Sequence, residues 1–206
     1  MSLNHLSKRI VWFDIETTGF NVFHNNIIEI AALDNYGNTF DTLINPKCFI
    51  PKKITEITKI DNSMVNDKPC AEEALIKFVD FINGTSLFNI NRSNRRAKYC
   101  IGHNALAFDS PFINAQCKKY NIFIPEFKVI DTMRLSQYIL TNNYSHSLAS
   151  LSEFFNIPNN NAHRAMSDVT TTKDIFILLI SIFKSYNGSE SITNNDIDKV
   201  FELTTV

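Results

Sequence analysis

The chain has 206 residues, of which 44% are hydrophobic and 20% are charged, with 20 Lys and Arg against 21 Asp and Glu. This composition predicts one folded domain with a short appendage and excludes a disordered chain, because the apolar side chains can offset the entropy of ordering the backbone. The formal net charge of -1 excludes a protein that grips nucleic acid by bulk charge alone.

Cysteine spacing and hydropathy bear on the compartment. The 4 cysteines form no pattern typical of a zinc site, which favours reduced thiols. The most apolar run, residues 175–183, is far shorter than the roughly 20 residues that cross a bilayer, and residues 1–8 lack the apolar stretch of a signal peptide. We therefore expect a cytoplasmic or nuclear protein with no membrane anchor.

The first half of the chain predicts an antiparallel meander followed by helices. A β-branched and aromatic segment at 9–15 stops at a Thr-Thr-Gly turn and is typical of a strand buried on both faces. Further strands are predicted at 26–33 and 39–44. Apolar spacing then predicts a short helical stretch at 54–60 and an amphipathic helix at 71–82.

The second half predicts strands that alternate with helices. A polar segment at 84–98 is interpreted as an exposed loop that concentrates positive charge in Arg92, Arg95 and Arg96. Strands are predicted at 99–102 and 129–131, helices at 111–120, 133–140, 148–155 and 167–186, and a loop with a short amphipathic turn at the end of the chain. The alternation adds parallel strands to the meander, which gives an α/β fold with a mixed five-stranded sheet flanked by helices.

Two acids lie at the end of the first strand, which we expect to be central. Asp14 and Glu16 are two residues apart, so both carboxylates point to one face of the strand. Such a pair is compatible with a solvated strand end or with a bound cation. The Thr17-Thr18-Gly19 turn that follows favours the cation, because an apolar strand otherwise has little reason to end in this way.

Three further residues have chemistry that their positions leave open. Asp109 precedes a helix and Asp168 lies in the first turn of the last long helix, so either could cap a helix or complement its dipole. His163 lies in a loop five residues before Asp168, where a surface role is the simple alternative. Taken together, three or four carboxylates suit two Mg2+ ions roughly 4 Å apart, which can bind both oxygens of a phosphodiester displacement. A histidine, whose ordinary pKa is about 6.5, is suited to act as the general base for the attacking water.

At these residues the chain resembles the DnaQ-like, or DEDDh, 3′-to-5′ exonucleases, which have an RNase H-like fold. The DxExTG motif is matched at 14–19, the His-Asn motif that ends in Phe-Asp at 103–109, and the HxxxxD motif at 163–168. Lesser matches lie at 27–31, 54–60, 130–132 and 147–151. The resemblance implies an exonuclease domain over residues 1–186, with 187–206 as a short C-terminal extension.

The resemblance also implies roles for individual residues. Asp14, Glu16 and Asp168 would hold one Mg2+, and Asp14 would bridge to a second on which Asp109 acts, with Mn2+ as a substitute. His163 would be the general base for a water that releases a nucleoside 5′-monophosphate. The substrate would be a nucleic acid 3′ end, with single-stranded DNA favoured over RNA, and its terminal nucleotide would contact Thr17, Thr18, Asn104 and Phe108.

Two departures from the family pattern matter. Three residues separate His103-Asn104 from Phe108-Asp109, a spacing that looks more like the TREX-like branch and raises the prospect of a homodimer. Lys59 stands where the family usually has glycine, so the local turn is expected to differ. The basic loop at 84–98 is a candidate contact to upstream phosphates, with a solvated loop as the equal alternative.

Other functions compete with a stand-alone DNA exonuclease. Within the same chemistry, the alternatives are an RNA-trimming enzyme that resembles RNase T and a polymerase proofreading subunit. From a different class, the alternative is a catalytically silent module that binds nucleic acid or protein, which the presence of all four acids and His163 disfavours. A phosphatase of the DxDx[TV] type is also disfavoured, because Glu16 replaces its second Asp.

Overall fold

The computed structural model describes residues 3, 5–85, 96–124, 127–143, 145–159, 161–185 and 192–205. These residues form a five-stranded sheet with the spatial order β3-β2-β1-β4-β5. Its strands are β1 (Ile10–Thr17), β2 (Ile27–Asp34), β3 (Thr39–Leu43), β4 (Tyr99–Gly102) and β5 (Lys128–Asp131). The pairs β1–β2 and β2–β3 are antiparallel, whereas β1–β4 and β4–β5 are parallel. The predicted meander with added parallel strands is therefore confirmed.

The central strand β1 separates two hydrophobic clusters. Ile10 and Trp12 pack on one face, in a cluster with Val169 and Phe176 of the C-terminal half. Val11 and Phe13 alternate with them and pack on the opposite face with other helices. Because successive side chains of a strand point to opposite faces, burial of both faces explains why this part of β1 is apolar at consecutive positions.

Eight helices surround the sheet among the described residues. They are α1 (Lys52–Thr58), α2 (Asn62–Val65), α3 (Ala71–Asn83), α4 (Asp109–Lys119), α5 (Thr132–Ile139), α6 (Leu148–Phe154), α7 (Ala165–Ser185) and α8 (Asn194–Thr204). All the helices predicted from periodicity are present. The sequence did not predict α2, a single turn whose start is capped by the Asp61 carboxylate.

The end of the chain differs from the prediction. The expected loop and short turn is instead the 11-residue helix α8, which begins with a capping box in which Thr193 and Asp196 bond each other's backbone. Ile197 and Val200 are buried in the cluster that also contains Ile10. The helix therefore packs on the core of the sheet, and the boundary at residue 186 stays a prediction.

Three elements near the acids are longer than predicted. Strand β1 continues to Thr17, α4 begins at Asp109 and α7 begins at Ala165. As a result Asp14 and Glu16 lie within the hydrogen-bonded strand, and Asp109 is the first residue of its helix. The acids are thus held by regular elements and not by loops.

Most of the predicted basic loop at 84–98 lies outside the described residues. Arg92 and Arg95 lie outside the described residues, whereas Arg96 is described and exposed. In the described part of the chain, none of the helices combines the length and apolarity that a bilayer span requires.

Candidate active site

Strand β1 directs its two acids toward the face covered by α7. Asp14 and Glu16 alternate in register with Ile10 and Trp12, so they continue that face toward the carboxyl end of the strand. Both are partly buried. Burial and the neighbouring carboxylates of Asp109 and then Glu16 raise the pKa of Asp14. Burial, followed by repulsion from Asp168, raises the pKa of Glu16 to about 8.

Asp109 bonds the strand and does not cap its helix. Phe108 occupies the N-cap position of α4, and an oxygen of Asp109 accepts a hydrogen bond from the backbone N–H of Ile15 at 3.1 Å. The carboxyl is 3% exposed, and this burial raises its pKa to about 7. Asp109 is therefore fixed against β1, next to Asp14.

Asp168 is held from both of its oxygens. One accepts from the side-chain amide of Asn159 at 2.9 Å and the other from the backbone N–H of His163 at 2.9 Å. The residue lies in the first turn of α7 and is buried, and the burial raises its pKa despite these hydrogen bonds. Its contact to the backbone of residue 163 ties the histidine segment to the helix.

His163 lies at the exposed edge of the acidic group. Its backbone has a φ of 65°, which turns the chain just before α7. Ligand atoms of Glu16, His163 and Asp168 all lie within 4.8 Å of one another, a grouping that could hold a metal ion. The exposed ring could equally accept a proton from a water molecule beside that ion.

One cleft of about 550 Å³ is lined by most of the described residues that the sequence predicted. The predicted residues that line it are Asp14, Glu16, Thr17, Asn104, Phe108, Asp109, His163 and Asp168. Thr18 is not among the lining residues and bonds the backbone of Asn26 in both directions, so it shapes the turn after β1. Arg96 does not line the cleft either.

Apolar side chains line the same cleft as the acids. Ile54 and Ile57 of α1 and Leu148 of α6 lie there. Phe20 is 75% exposed, and its ring centroid lies 6.2 Å from that of Phe108. This wall was not assigned from the sequence, although the matches at 54–60 and 147–151 are the segments that supply it. A cleft with carboxylates and apolar side chains suits a ligand that has both charged and flat apolar parts.

Asp131 supports the segment that carries Asn104. Its carboxylate accepts backbone hydrogen bonds from Asn104 at 3.0 Å, Leu106 at 3.1 Å and Met133 at 2.9 Å. Nearby, His103 Nδ1 lies 2.9 Å from the Thr132 hydroxyl, and burial lowers the pKa of His103 to about 4. Asp131 is thus a positioning residue that sequence reasoning noted only as part of a lesser match.

Glu29 and Arg164 form an ion pair that sequence reasoning also missed. Glu29 lies opposite Glu16 in the β1–β2 register and is 1% exposed. It accepts from Arg164 at 2.7 and 3.1 Å and from the backbone N–H of Ala165 at 2.9 Å. The signal was present, because a glutamate inside the run Ile27-Ile28-Glu29-Ile30 needs a buried partner.

Comparisons with known proteins agree with this geometry. The sequence model of the Exonuclease family matches residues 11–176. The chain is 30% identical over 181 residues to the DNA polymerase III subunit epsilon of Aquifex aeolicus, covering 86% of this chain and 83% of that protein. It is 37% identical over 179 residues to a PolC-type DNA polymerase III of Caldanaerobacter subterraneus subsp. tengcongensis, covering 85% of this chain but only 12% of that protein.

The fold also agrees with solved structures. A zinc-bound complex of Escherichia coli exonuclease I with single-stranded DNA superposes with a TM-score of 0.69 at 18% identity, covering 95% of this chain and 43% of that one. The predicted RNase H-like exonuclease fold is thereby confirmed. Because the family model spans most of the chain and the Aquifex aeolicus relative is covered almost throughout, this chain belongs to the Exonuclease family, in its DnaQ-like branch.

Proposed function

We propose that the chain is a divalent-metal-dependent 3′-to-5′ exonuclease that releases nucleoside 5′-monophosphates, with single-stranded DNA as the favoured substrate. The observation that carries this proposal is that Asp14, Glu16, Asp109 and Asp168 line one cleft together with His163. Four carboxylates from β1, α4 and α7 supply the charge that a phosphodiester hydrolase of the two-metal type requires.

The donor set fits hard divalent cations. Carboxylate oxygens are the ligands that Mg2+ prefers. Repulsion among the acids contributes to the raised pKa values of Asp14 and Glu16, and a cation between them would remove it. We assign one Mg2+ to Asp14, Glu16 and Asp168, and a second to Asp14 and Asp109. When bound, the two ions would polarise the phosphodiester and stabilise the charge that develops on its oxygens.

The remaining residues of the cleft prepare the substrate. His163 accepts the proton of the attacking water, and its exposed ring supports this role because the water enters from solvent. Thr17, Asn104 and Phe108 bind the terminal nucleotide. Ile54 and Leu148 exclude water from its base, which is consistent with an enzyme that trims a free end.

Two observations favour DNA over RNA. The Aquifex aeolicus and Caldanaerobacter relatives are DNA polymerase III proteins, and exonuclease I was solved with single-stranded DNA.

A proofreading subunit is the second candidate. It is favoured by the Aquifex aeolicus epsilon subunit, of which this chain covers 83%. A proofreading enzyme would bind a polymerase, whereas a stand-alone enzyme would degrade a free 3′ end without one. Removal of a mismatched 3′ nucleotide that accelerates on addition of a polymerase from the same organism would support the proofreading role.

The proposed activity can be tested directly. We expect the purified protein to shorten 5′-labelled DNA one nucleotide at a time in Mg2+, to release labelled mononucleotide at once from 3′-labelled DNA, and to stop in EDTA. The same RNA oligonucleotides, run in parallel, compare the sugars and would identify an RNA-trimming enzyme. Internal cutting, or activity that persists in EDTA, would contradict the proposal.

A further inference from the structure

A second cleft adjoins the catalytic cleft at Ala162, which lines both. It has a volume of about 740 Å³, and Lys59 and Arg164 contribute two cationic groups to its wall. Among the residues that the structure describes, none of those lining this second cleft is an acid, whereas four carboxylates line the first. The first cleft therefore suits cations, whereas the second offers the Lys59 ammonium together with an Arg164 guanidinium that already pairs with Glu29.

Arg164 is already oriented in this second cleft. Glu29 accepts hydrogen bonds from its Nε at 3.1 Å and from a terminal nitrogen at 2.7 Å. The arginine side chain nevertheless remains 38% exposed, so part of the guanidinium is accessible. A cation held in place before a ligand arrives loses little side-chain entropy on binding.

Lys59 occupies a backbone position that favours glycine. It ends α1 in the left-handed conformation with a φ of 62°, and its N–H bonds the carbonyl oxygen of Thr55 at 2.9 Å. The lysine thus adopts the backbone that glycine adopts most easily, and the expected difference in this turn stays a prediction. Strain of this kind is often retained where a side chain has a role. The ammonium group donates to the carbonyl oxygen of Glu56, which leaves two N–H groups for a ligand.

We propose that this second cleft, here the Lys59–Arg164 cleft, binds a phosphodiester group of the nucleic acid outside the terminal nucleotide. The proposal rests on the proposed exonuclease function. A polymer whose last phosphate lies among the carboxylates must leave the catalytic cleft, and the adjoining cleft offers two cations and no described acid. Phosphate oxygens are the groups for which lysine and arginine suit such a site.

Two substitutions of Lys59 distinguish the effect of its charged side chain from the effect of its left-handed backbone. Lys59→Gly removes the cation and relieves the left-handed strain, and Lys59→Met removes the charge but keeps the apolar stem. Lys47→Gly is the matched control, because Lys47 is also exposed, has a φ of 54° and lines neither cleft. Both glycine variants lose one positive charge, so a general charge effect would appear in both.

The measurement compares a long substrate with a minimal one. The p-nitrophenyl ester of thymidine 5′-monophosphate has no upstream phosphate, so Lys59→Gly and Lys59→Met should hydrolyse it like the wild type. On a single-stranded oligonucleotide, both variants should raise KM roughly three- to tenfold, with a salt slope of log KM that is shallower by about 0.7. Lys47→Gly should change neither.

Duplex DNA identifies the strand. A KM effect on single-stranded DNA assigns the bound phosphate to the strand being degraded, and an effect on blunt duplex alone assigns it to the complementary strand. An unchanged KM and salt slope on both substrates, with an active wild type, would overturn the phosphate site. A wild type that hydrolyses neither the oligonucleotide nor the ester would instead contradict the proposed function.

Discussion

Two arginine–carboxylate pairs lie at opposite ends of the β1–β2 ribbon, and their surroundings differ. Arg9 and Asp34 pair at 2.9 Å, with side chains 2% and 0% exposed. Arg9 also donates to the carbonyl oxygens of Phe81 and Ile82, and Asp34 accepts from the turn that joins β2 to β3. At this end, one buried positive charge meets one buried negative charge.

The Arg164–Glu29 pair is the counterpart at the other end. Arg164 neutralises Glu29, but four more carboxylates lie in the neighbouring cleft, and the pKa values of Asp14 and Glu16 are raised by burial and mutual repulsion. At the Arg9 end of the ribbon, each buried charge therefore has a partner of opposite sign. At the Glu29 end, the carboxylates outnumber the positive charges. Proteins accept such an imbalance where a cation or substrate supplies the missing charge.

The largest effect on activity is expected at the Glu29 end of the β1–β2 ribbon, beside the acidic cleft. Asp14→Asn removes the carboxylate that we assign to both ions, so mononucleotide release should fall by about 10⁴-fold or more. The metal-free protein should unfold at the same temperature or a higher one, because a repelling charge is lost. Thermal melting and the labelled-oligonucleotide assay check this, and retained activity would remove Asp14 from the metal site.

At the Arg9–Asp34 end, a substitution should lower stability and leave activity unchanged. Arg9→Met leaves Asp34 buried without its partner, which should lower the free energy of unfolding by about 3–5 kcal/mol. The folded fraction should keep its kcat, because Arg9 lies outside the cleft. Urea unfolding and active-site titration separate the two quantities. A loss of kcat in fully folded protein would contradict the purely structural role of the Arg9–Asp34 pair.

His163→Ala should lower kcat by about 10²–10⁴-fold, the usual contribution of general acid–base catalysis. Unlike Asp14→Asn, this change should preserve Mn2+ binding, measured by electron paramagnetic resonance, because the acids remain. A rate within tenfold of the wild type would exclude His163 as the base. Lost Mn2+ binding would identify it as a ligand, which the 4.8 Å grouping with Glu16 and Asp168 also permits.

Glu29→Gln tests whether the Arg164–Glu29 pair positions the neighbouring catalytic residues. The amide can still accept from Ala165, but it loses the charge that orients Arg164 and the adjoining histidine segment. Residues that orient metal ligands typically contribute about 10–100-fold, and we expect kcat to fall in that range while KM changes little. Equal kcat in the two proteins would show that the segment is positioned without Glu29.

The smallest effect concerns pH. The raised pKa of Glu16, about 8, means that the folded metal-free protein binds more protons than the unfolded chain between the two pKa values. Its stability should therefore fall as pH rises from about 5 to about 8, by several degrees in melting temperature. Saturating Mg2+ should flatten the dependence. A metal-free protein that becomes more stable over this interval would contradict the direction of the shift.

The sequence predicted those parts of the fold that local patterns specify. Alternation and β-branching located β1, and the spacing of Asp14 and Glu16 placed both on one face. The acids, Asn104 and Phe108 were found because their motifs are contiguous in sequence, and the structure brings them to one cleft.

Other features depend on contacts between distant segments. Glu29 and Arg164 are separated by 135 residues, so no local pattern links them. Helix α8 is amphipathic over its 11 residues, but only contacts to distant segments show that it buries Ile197 and Val200 against the sheet. The left-handed backbone of Lys59, which closes α1 with a hydrogen bond to Thr55, is not what residue preference alone predicts for a lysine.

The site is divided between the middle of the sheet and an irregular segment. Asp14 and Glu16 belong to the strand that pairs on both sides, whereas His163 precedes α7 in a turn exposed to solvent. Amide hydrogens of β1 should therefore exchange only when the whole domain opens, while those around residue 163 should exchange through local fluctuations. Because the His163 N–H holds one oxygen of Asp168, each local opening of this turn also releases that carboxylate.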